Sequence, residues 1–252
     1  MLLLISFCWS LDICIEGVSG EGFVAESLTI ENSAGPEGNQ AAALYNEADK
    51  TAFYRCNIVG YQDTLYANQV GSRQFYKDCT ISGTVDFVFG SAKAVFQDCL
   101  LLARRSGLEN VVTAQRREGP NEESGFVFQG CHVAASPEVE GNVTAYLGRP
   151  WRVYAKVVFM QSVLDGIVAP AGWERWDNTS SVDLLFFAEY ENQGAGAGTS
   201  QRVNWKGFHV LKDDNEAEDF TVNNFIGGNV WLPETGVPFR GGLDAPMLLA
   251  DM

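Results

Sequence analysis

Histidine is nearly absent: His132 and His209 are the only two in 252 residues. That leaves little room for a histidine-built metal centre or a Ser–His–Asp triad. Basic residues are also scarce, 17 against 32 acidic ones, for a formal charge of −15. A partner gripped through its phosphate backbone needs clustered Lys and Arg, so nucleic acid is excluded. No apolar run approaches the roughly 20 residues that cross a bilayer, and a membrane-spanning helix is excluded too. The apolar stretch 2–11 ends at Asp12, with no Lys or Arg ahead of it and no clean small-residue cleavage site behind it. It reads either as a buried first strand or as the remnant of a secretion signal. Charged residues make up 19% and hydrophobic ones 46%, which excludes disorder and leaves material for a sizeable core.

What the chain does have is repetition. An aromatic residue, two or three intervening positions, a small residue and an apolar β-former recur together. The copies are Phe23-Val-Ala-Glu-Ser27, Phe53-Tyr-Arg-Cys56, Phe75-Tyr-Lys-Asp-Cys79, Phe96-Gln-Asp-Cys99, Phe128-Gln-Gly-Cys131 and Phe159-Met-Gln-Ser162. The small residues are 29, 23, 20, 32 and 31 positions apart. Between them lie short Val-, Ile-, Phe- and Thr-rich segments punctuated by Gly, Asn and Asp, and the 26 glycines suit many turns. Most copies have no amphipathic helix between them, which argues against βαβ units. Strands recurring once per 20–30 residues predict an all-β, single-domain parallel β-helix, each rung stacked on the last. Cys56, Cys79, Cys99 and Cys131 then form an inward ladder of small apolar groups. Rungs stack at about 4.8 Å, so a bridge between neighbouring thiols stays open as an alternative.

The same ladder makes a chemical prediction. Asp63 lies seven residues after Cys56, and Asp86 seven after Cys79. Stacked cysteines therefore imply stacked aspartates, roughly 5 Å apart on adjacent rungs. Two carboxyls that close do not ionise independently, and one is driven toward its protonated form. A protonated acid beside an ionised carboxylate serves acid–base and covalent catalysis; a solvated pair or a calcium site is the plainer alternative. Gln62 adjoins Asp63, and Gln40 lies about one rung upstream, though the longer first repeat leaves Gln40 unplaced by the ladder. Their amides would donate to a developing oxyanion. Leu147-Gly-Arg-Pro-Trp151 adds Arg149, a cation to hold one aspartate ionised, and Trp151, a face for a sugar ring.

Gly60-Tyr-Gln-Asp-Thr-Leu-Tyr66, Gly83-Thr-Val-Asp-Phe-Val-Phe-Gly90 and Leu147-Gly-Arg-Pro-Trp151 together resemble the signature motifs of the plant-type pectin methylesterases, or pectinesterases. Gly38-Asn-Gln-Ala-Ala-Ala-Leu44, Val112-Thr-Ala-Gln115, Gly194-Ala-Gly-Ala-Gly-Thr199, Phe225-Ile-Gly-Gly and Trp231-Leu-Pro-Glu-Thr-Gly-Val-Pro-Phe239 extend the likeness, in order, over residues 17–243. The resemblance implies a right-handed parallel β-helix with long loops and a short C-terminal helical or irregular segment. It implies hydrolysis of galacturonate methyl esters in pectin, releasing methanol. Asp86 would be the nucleophile, Asp63 the acid and then base, Gln40 and Gln62 the oxyanion donors, and Arg149 the partner of Asp86. Tyr66, Phe89, Trp151, Trp173 and Gln115 match substrate-binding positions. No metal or organic cofactor is implied. The implied setting is a monomer secreted to the extracellular space and cell wall, acting on methylated homogalacturonan and open to a proteinaceous pectinesterase inhibitor. Asn142 and Asn178 head glycosylation sequons, which matter only in a secreted chain.

Residues 1–16 are unlike the family's usual start, which carries further strands and a helix, and are expected to be a signal remnant or a truncated cap; residues 244–252 form a tail. Rival readings are a pectin lyase needing calcium and a base, a polygalacturonase with carboxyls about 6.5–9.5 Å apart, and a non-catalytic carbohydrate-binding solenoid. His132 and His209 are read as structural. The Gly194–Gly198 run is a turn without the G-x-G-x-x-G spacing, and the acidic run 213–219 is a solvated face.

Overall fold

A computed structural model describes residues 16–105, 109–139, 143–177 and 181–243. The stretch 2–11, both sequons' asparagines and the tail lie outside the described residues. Strands of two to five residues are too short to persist alone, and they are stabilised by stacking in register on the turn before and the turn after. Among the described residues they form three parallel sheets of six, eight and six strands, with a further pair formed by Asn110–Val111 and Ala145–Tyr146. The first sheet holds Glu16–Val18, Leu44–Asn46, Leu65–Ala67, Val88–Gly90, Thr113–Gln115 and Arg149–Pro150. The chain visits each sheet once per rung, and the result is the expected right-handed parallel β-helix. Among the described residues no helix is long and apolar enough to cross a membrane.

Stacked side chains fill the interior. Phe53, Tyr76, Phe96, Phe128 and Phe159 lie ring on ring, with successive centroids 5.1, 4.7, 4.5 and 4.4 Å apart and planes within about 10°. Such pairs add about 0.5–1.5 kcal/mol each beyond their buried area. The cysteine ladder is present and unbridged: Cys56, Cys79, Cys99 and Cys131 are buried free thiols. Each of the last three donates to a carbonyl one rung back, at Phe53, Tyr76 and Phe96, over 3.3–3.4 Å. Burial pushes the Cys99 thiol well up from its ordinary value.

Two repeat assignments shift by one residue. Thr29 pairs with Asn57 and Glu26 with Tyr54, a step of 28, so Leu28 rather than Ser27 stacks on Cys56. Phe53 pairs with Tyr76, so Tyr76 rather than Phe75 joins the aromatic column. From Phe53 onward the spacing is aromatic to small residue at i+3, whereas the first rung carries Ala25 and Leu28 at those places. Phe75 faces outward, where it packs with Val95, Val127 and Val158 beneath the C-terminal segment. That segment winds through α1 (Asp214–Glu218), α2 (Val222–Ile226) and α3 (Gly228–Trp231), and it buries Phe220, Phe225, Ile226 and Trp231. The acidic run begins α1, with the Asp213 side chain accepting from the Glu216 amide, and apart from Ala217 its side chains are exposed.

At the far end the column changes chemistry. Phe159 pairs with Glu189, which is 1% exposed. Glu189 accepts from Arg202 through both oxygens, at 2.7 and 3.2 Å, and from the Trp173 indole at 3.3 Å. Arg202 also donates to the carbonyls of Pro170 and Gly196, which ties the glycine-rich turn to the end of the solenoid.

Candidate active site

Asp63 and Asp86 each lie two residues before a strand of the first sheet, in turns entered from the third sheet. Leu65 pairs with Val88 and Tyr66 with Phe89, so the aspartates occupy equivalent places one rung apart, as the cysteine offset requires. Both have left-handed backbones, with φ of 63° and 53°. Aspartate tolerates that region better than most residues, and the neighbouring rungs hold it there: the Asp63 amide donates to the Val85 carbonyl at 3.0 Å. Gly83 makes the packing behind Asp86 possible, since a Cβ there would meet the Phe87 Cβ at 2.3 Å and the Thr64 hydroxyl at 2.6 Å.

Arg149 reaches Asp86 from two rungs away. In the first sheet Phe89 pairs with Ala114, and Ala114 with Arg149. The alanine methyl leaves the intervening rung low enough for the arginine to cross. Its Nε and Nη2 then donate to Oδ1 and Oδ2 of Asp86 at 2.9 and 2.8 Å, a two-point clamp on a carboxylate whose side chain is 6% exposed. The other side of the guanidinium lies 4.4 Å over the Trp176 ring. Gln40 and Gln62 bridge neighbouring rungs in parallel, with Gln62 adjacent to Asp63.

The two carboxyls differ in electrostatics. Burial, then the charge of Asp86, pushes Asp63 up to about 7, and Arg149 opposes this. Burial also raises Asp86, but there the Arg149 hydrogen bonds and charge pull back directly. The pair is thus unequal: Asp63 keeps its proton up to about 7, while the Arg149 clamp favours the ionised form of Asp86. A carboxylate held on two points and a second carboxyl of raised proton affinity one rung away are the groups that acyl transfer requires.

An aromatic wall flanks the carboxyls. Tyr66 stacks on Phe89 at 4.3 Å, Phe89 meets Trp151 at 6.1 Å, and Trp151 lies nearly parallel to Trp176 at 6.5 Å. A cavity of about 300 Å³ opens beside Trp151 and Trp176. Two residues expected at the substrate lie elsewhere. Trp173 is 1% exposed, its ring stacked on Phe187 inside the core. Gln115 is fully buried; its amide donates to the Ser124 hydroxyl while its oxygen accepts from the Arg117 and Lys156 backbones. Neither has a face or a free polar atom to offer a ligand.

The sequence profile of the Pectinesterase family matches residues 13–229. This chain belongs to the pectinesterase family. It is 48% identical over 228 residues to a pectinesterase/pectinesterase inhibitor of Prunus persica, covering 88% of this chain and 43% of that protein. To Pectinesterase 2 of Citrus sinensis it is 45% identical, covering 90% of this chain and 45% of that protein. The chain thus spans under half the length of the curated relatives it matches. Its fold is similar to that of a pectin methylesterase from carrot, with a TM-score of 0.87 and 46% identity over 90% of this chain and 72% of the other. A pectin methylesterase from Aspergillus niger follows, with a TM-score of 0.75 and 33% identity over 88% and 70%. Membership of the pectinesterase family fits a site whose five expected positions come from two turns, the segment holding Gln40 and one strand. Trp176 is the wall residue that sequence reasoning missed. Gly148 pairs with Trp173, a step of 25, and the same step carries Trp151 to Trp176. The ladder rule, applied once more, selects Trp176.

Proposed function

We propose that this chain hydrolyses methyl esters of galacturonate units in pectin, with Asp86 as nucleophile and Asp63 as acid and base. The observation that carries the reading is the unequal pair: Asp86 in the two-point grip of Arg149, and Asp63 one rung away with its proton affinity raised to about 7. Asp86 attacks the ester carbonyl while the Gln40 and Gln62 amides receive the developing oxyanion. As the tetrahedral species collapses, the Asp63 proton passes to the departing methoxide, giving methanol and an acyl-Asp86. Asp63, now a carboxylate, takes a proton from water as its oxygen attacks the acyl carbonyl, which releases the galacturonate and restores both groups. Arg149 orients Asp86 and steadies its charge as the carboxylate is regenerated. The wall of Tyr66, Phe89, Trp151 and Trp176 offers faces for successive sugar rings. Secretion to the cell wall, action as a monomer and susceptibility to a proteinaceous inhibitor belong to the same reading.

The decisive assay is methanol release from methylated pectin by the purified chain. Asp86→Asn is expected to lower the rate by about three orders of magnitude or more while leaving the thermal midpoint near that of the parent. Full activity in that variant would overturn the mechanism. An ultraviolet-absorbing product would favour a lyase, and new reducing ends a glycoside hydrolase.

A further inference from the structure

Asp63 and Gln62 sit in a turn, residues 60–64, that is pinned from two sides. On the inner side the buried Thr64 hydroxyl bridges the Tyr61 carbonyl at 3.1 Å and the Ser82 carbonyl at 3.0 Å. On the outer side is Arg104, which follows the strand Leu100–Ala103 two rungs further on. Its Nη1 donates to the Gly60 carbonyl and its Nη2 to the Tyr61 hydroxyl, both at 2.9 Å, while Cζ lies 3.9 Å over the Tyr61 ring. Its Nε is held by Glu138 at 2.6 Å, and only 13% of the arginine side chain is exposed. Arg104 touches neither Gln62 nor Asp63, and the charges that bear on Asp63 are those of Asp86 and Arg149. Any influence of Arg104 on the chemistry therefore runs through the backbone of this turn.

We propose that Arg104, braced by Glu138, is a positioning residue that fixes the 60–64 turn and so places Gln62 and the Asp63 carboxyl for both half-reactions. The proposal rests on the esterase reading above. The physical case is that a left-handed Asp63 has alternatives within reach, and the turn keeps this one because both of its flanks are tied. Cutting the outer tie leaves Gly60 and Tyr61 free to move, and a displacement of about 1 Å at an acid/base group costs up to about a hundredfold in rate. A loosened turn also admits water to Asp63, which lowers its proton affinity toward that of an ordinary carboxylate.

The test compares kcat, KM and the pH dependence of methanol release for the parent, R104A, R104K and E138Q. R104A is expected to lose about ten- to a hundredfold in kcat with little change in KM, and its alkaline limb should move below that of the parent. R104K retains the charge but not the paired contact to Gly60 and Tyr61 or the stack, so it should recover little. E138Q should show a smaller loss in the same direction. If R104A fails to fold, R104K and E138Q carry the comparison alone. Unchanged kcat and pH limb in the arginine variants, or full recovery in R104K, would overturn the positioning role and leave the esterase reading standing. A parent chain that releases no methanol would overturn the esterase reading, and this proposal with it.

Discussion

Asp63 and Asp86 are the same residue one rung apart, and their surroundings divide the work between them. Asp86 has a guanidinium on both oxygens, whereas Asp63 has burial and a neighbouring negative charge. For the proposed reaction kcat/KM should rise with pH as Asp86 ionises and fall as Asp63 loses its proton at about 7. A profile still climbing well above that pH would contradict the assignment. The same shift affects stability. The folded chain keeps a proton on Asp63 that the unfolded chain releases near its ordinary value of 3.8. The stabilisation from this group is thus complete below that value and is lost as pH rises through about 7. Asp63→Asn removes the penalty of a buried charge, so at pH above about 8 the variant should melt a few degrees higher than the parent, with the gap closing in acid. Thermal melts across that range decide it, and an equal midpoint in alkali would argue against a raised Asp63.

At the scale of strands and turns, the site depends on what each rung leaves out. Ala114 lies between Phe89 and Arg149 in one column of the first sheet, and its small side chain gives the arginine a path to Asp86. Ala114→Leu should cost about 1–3 kcal/mol by overpacking. Methanol release per folded molecule should fall at least about tenfold, because a displaced guanidinium no longer clamps the nucleophile. Unchanged turnover would show that the path is not needed. The register explains what was legible beforehand. Asp63 and Asp86 were found from an equal offset to Cys56 and Cys79, because a solenoid converts equal offsets into stacked positions. The one-residue error at Phe75 arose where two aromatics stood side by side, and that at Ser27 because the first rung has Ala25 and Leu28 where later rungs have an aromatic and a small residue. Trp173 matched a family position, whereas the step of 25 that pairs Gly148 with Trp173 places Trp176 over Trp151. Arg104 left no trace in the pattern, since its ties run to a carbonyl and a ring and nothing in them repeats.

For the molecule as a whole, the formal charge of −15 sets how it meets a polyanion. De-esterified pectin carries a carboxylate on every freed unit, so the proposed product is repelled at distances beyond the few arginines beside Trp151. That repulsion is screened over about 10 Å at 0.1 M salt, and binding to de-esterified pectin should therefore tighten as salt is added. Co-sedimentation at low and high ionic strength measures this, and tighter binding at low salt would refute it. The end of the phenyl column bears on the molecule's solubility. Stacked rings with open rungs above them are a template on which a further β-strand can condense. Here the next place in the column is Glu189, neutralised by Arg202 and fastened to two loops. The strand Phe208–Val210 then lies over that rung, with Val210 paired to Glu189, so the rings end inside the sheet and not at its edge. In the vocabulary of polymers, the ion pair is an internal chain terminator: it ends the run of rings one rung before the last strand of the sheet, so no ring of the column is presented at an open edge where a fibre could start.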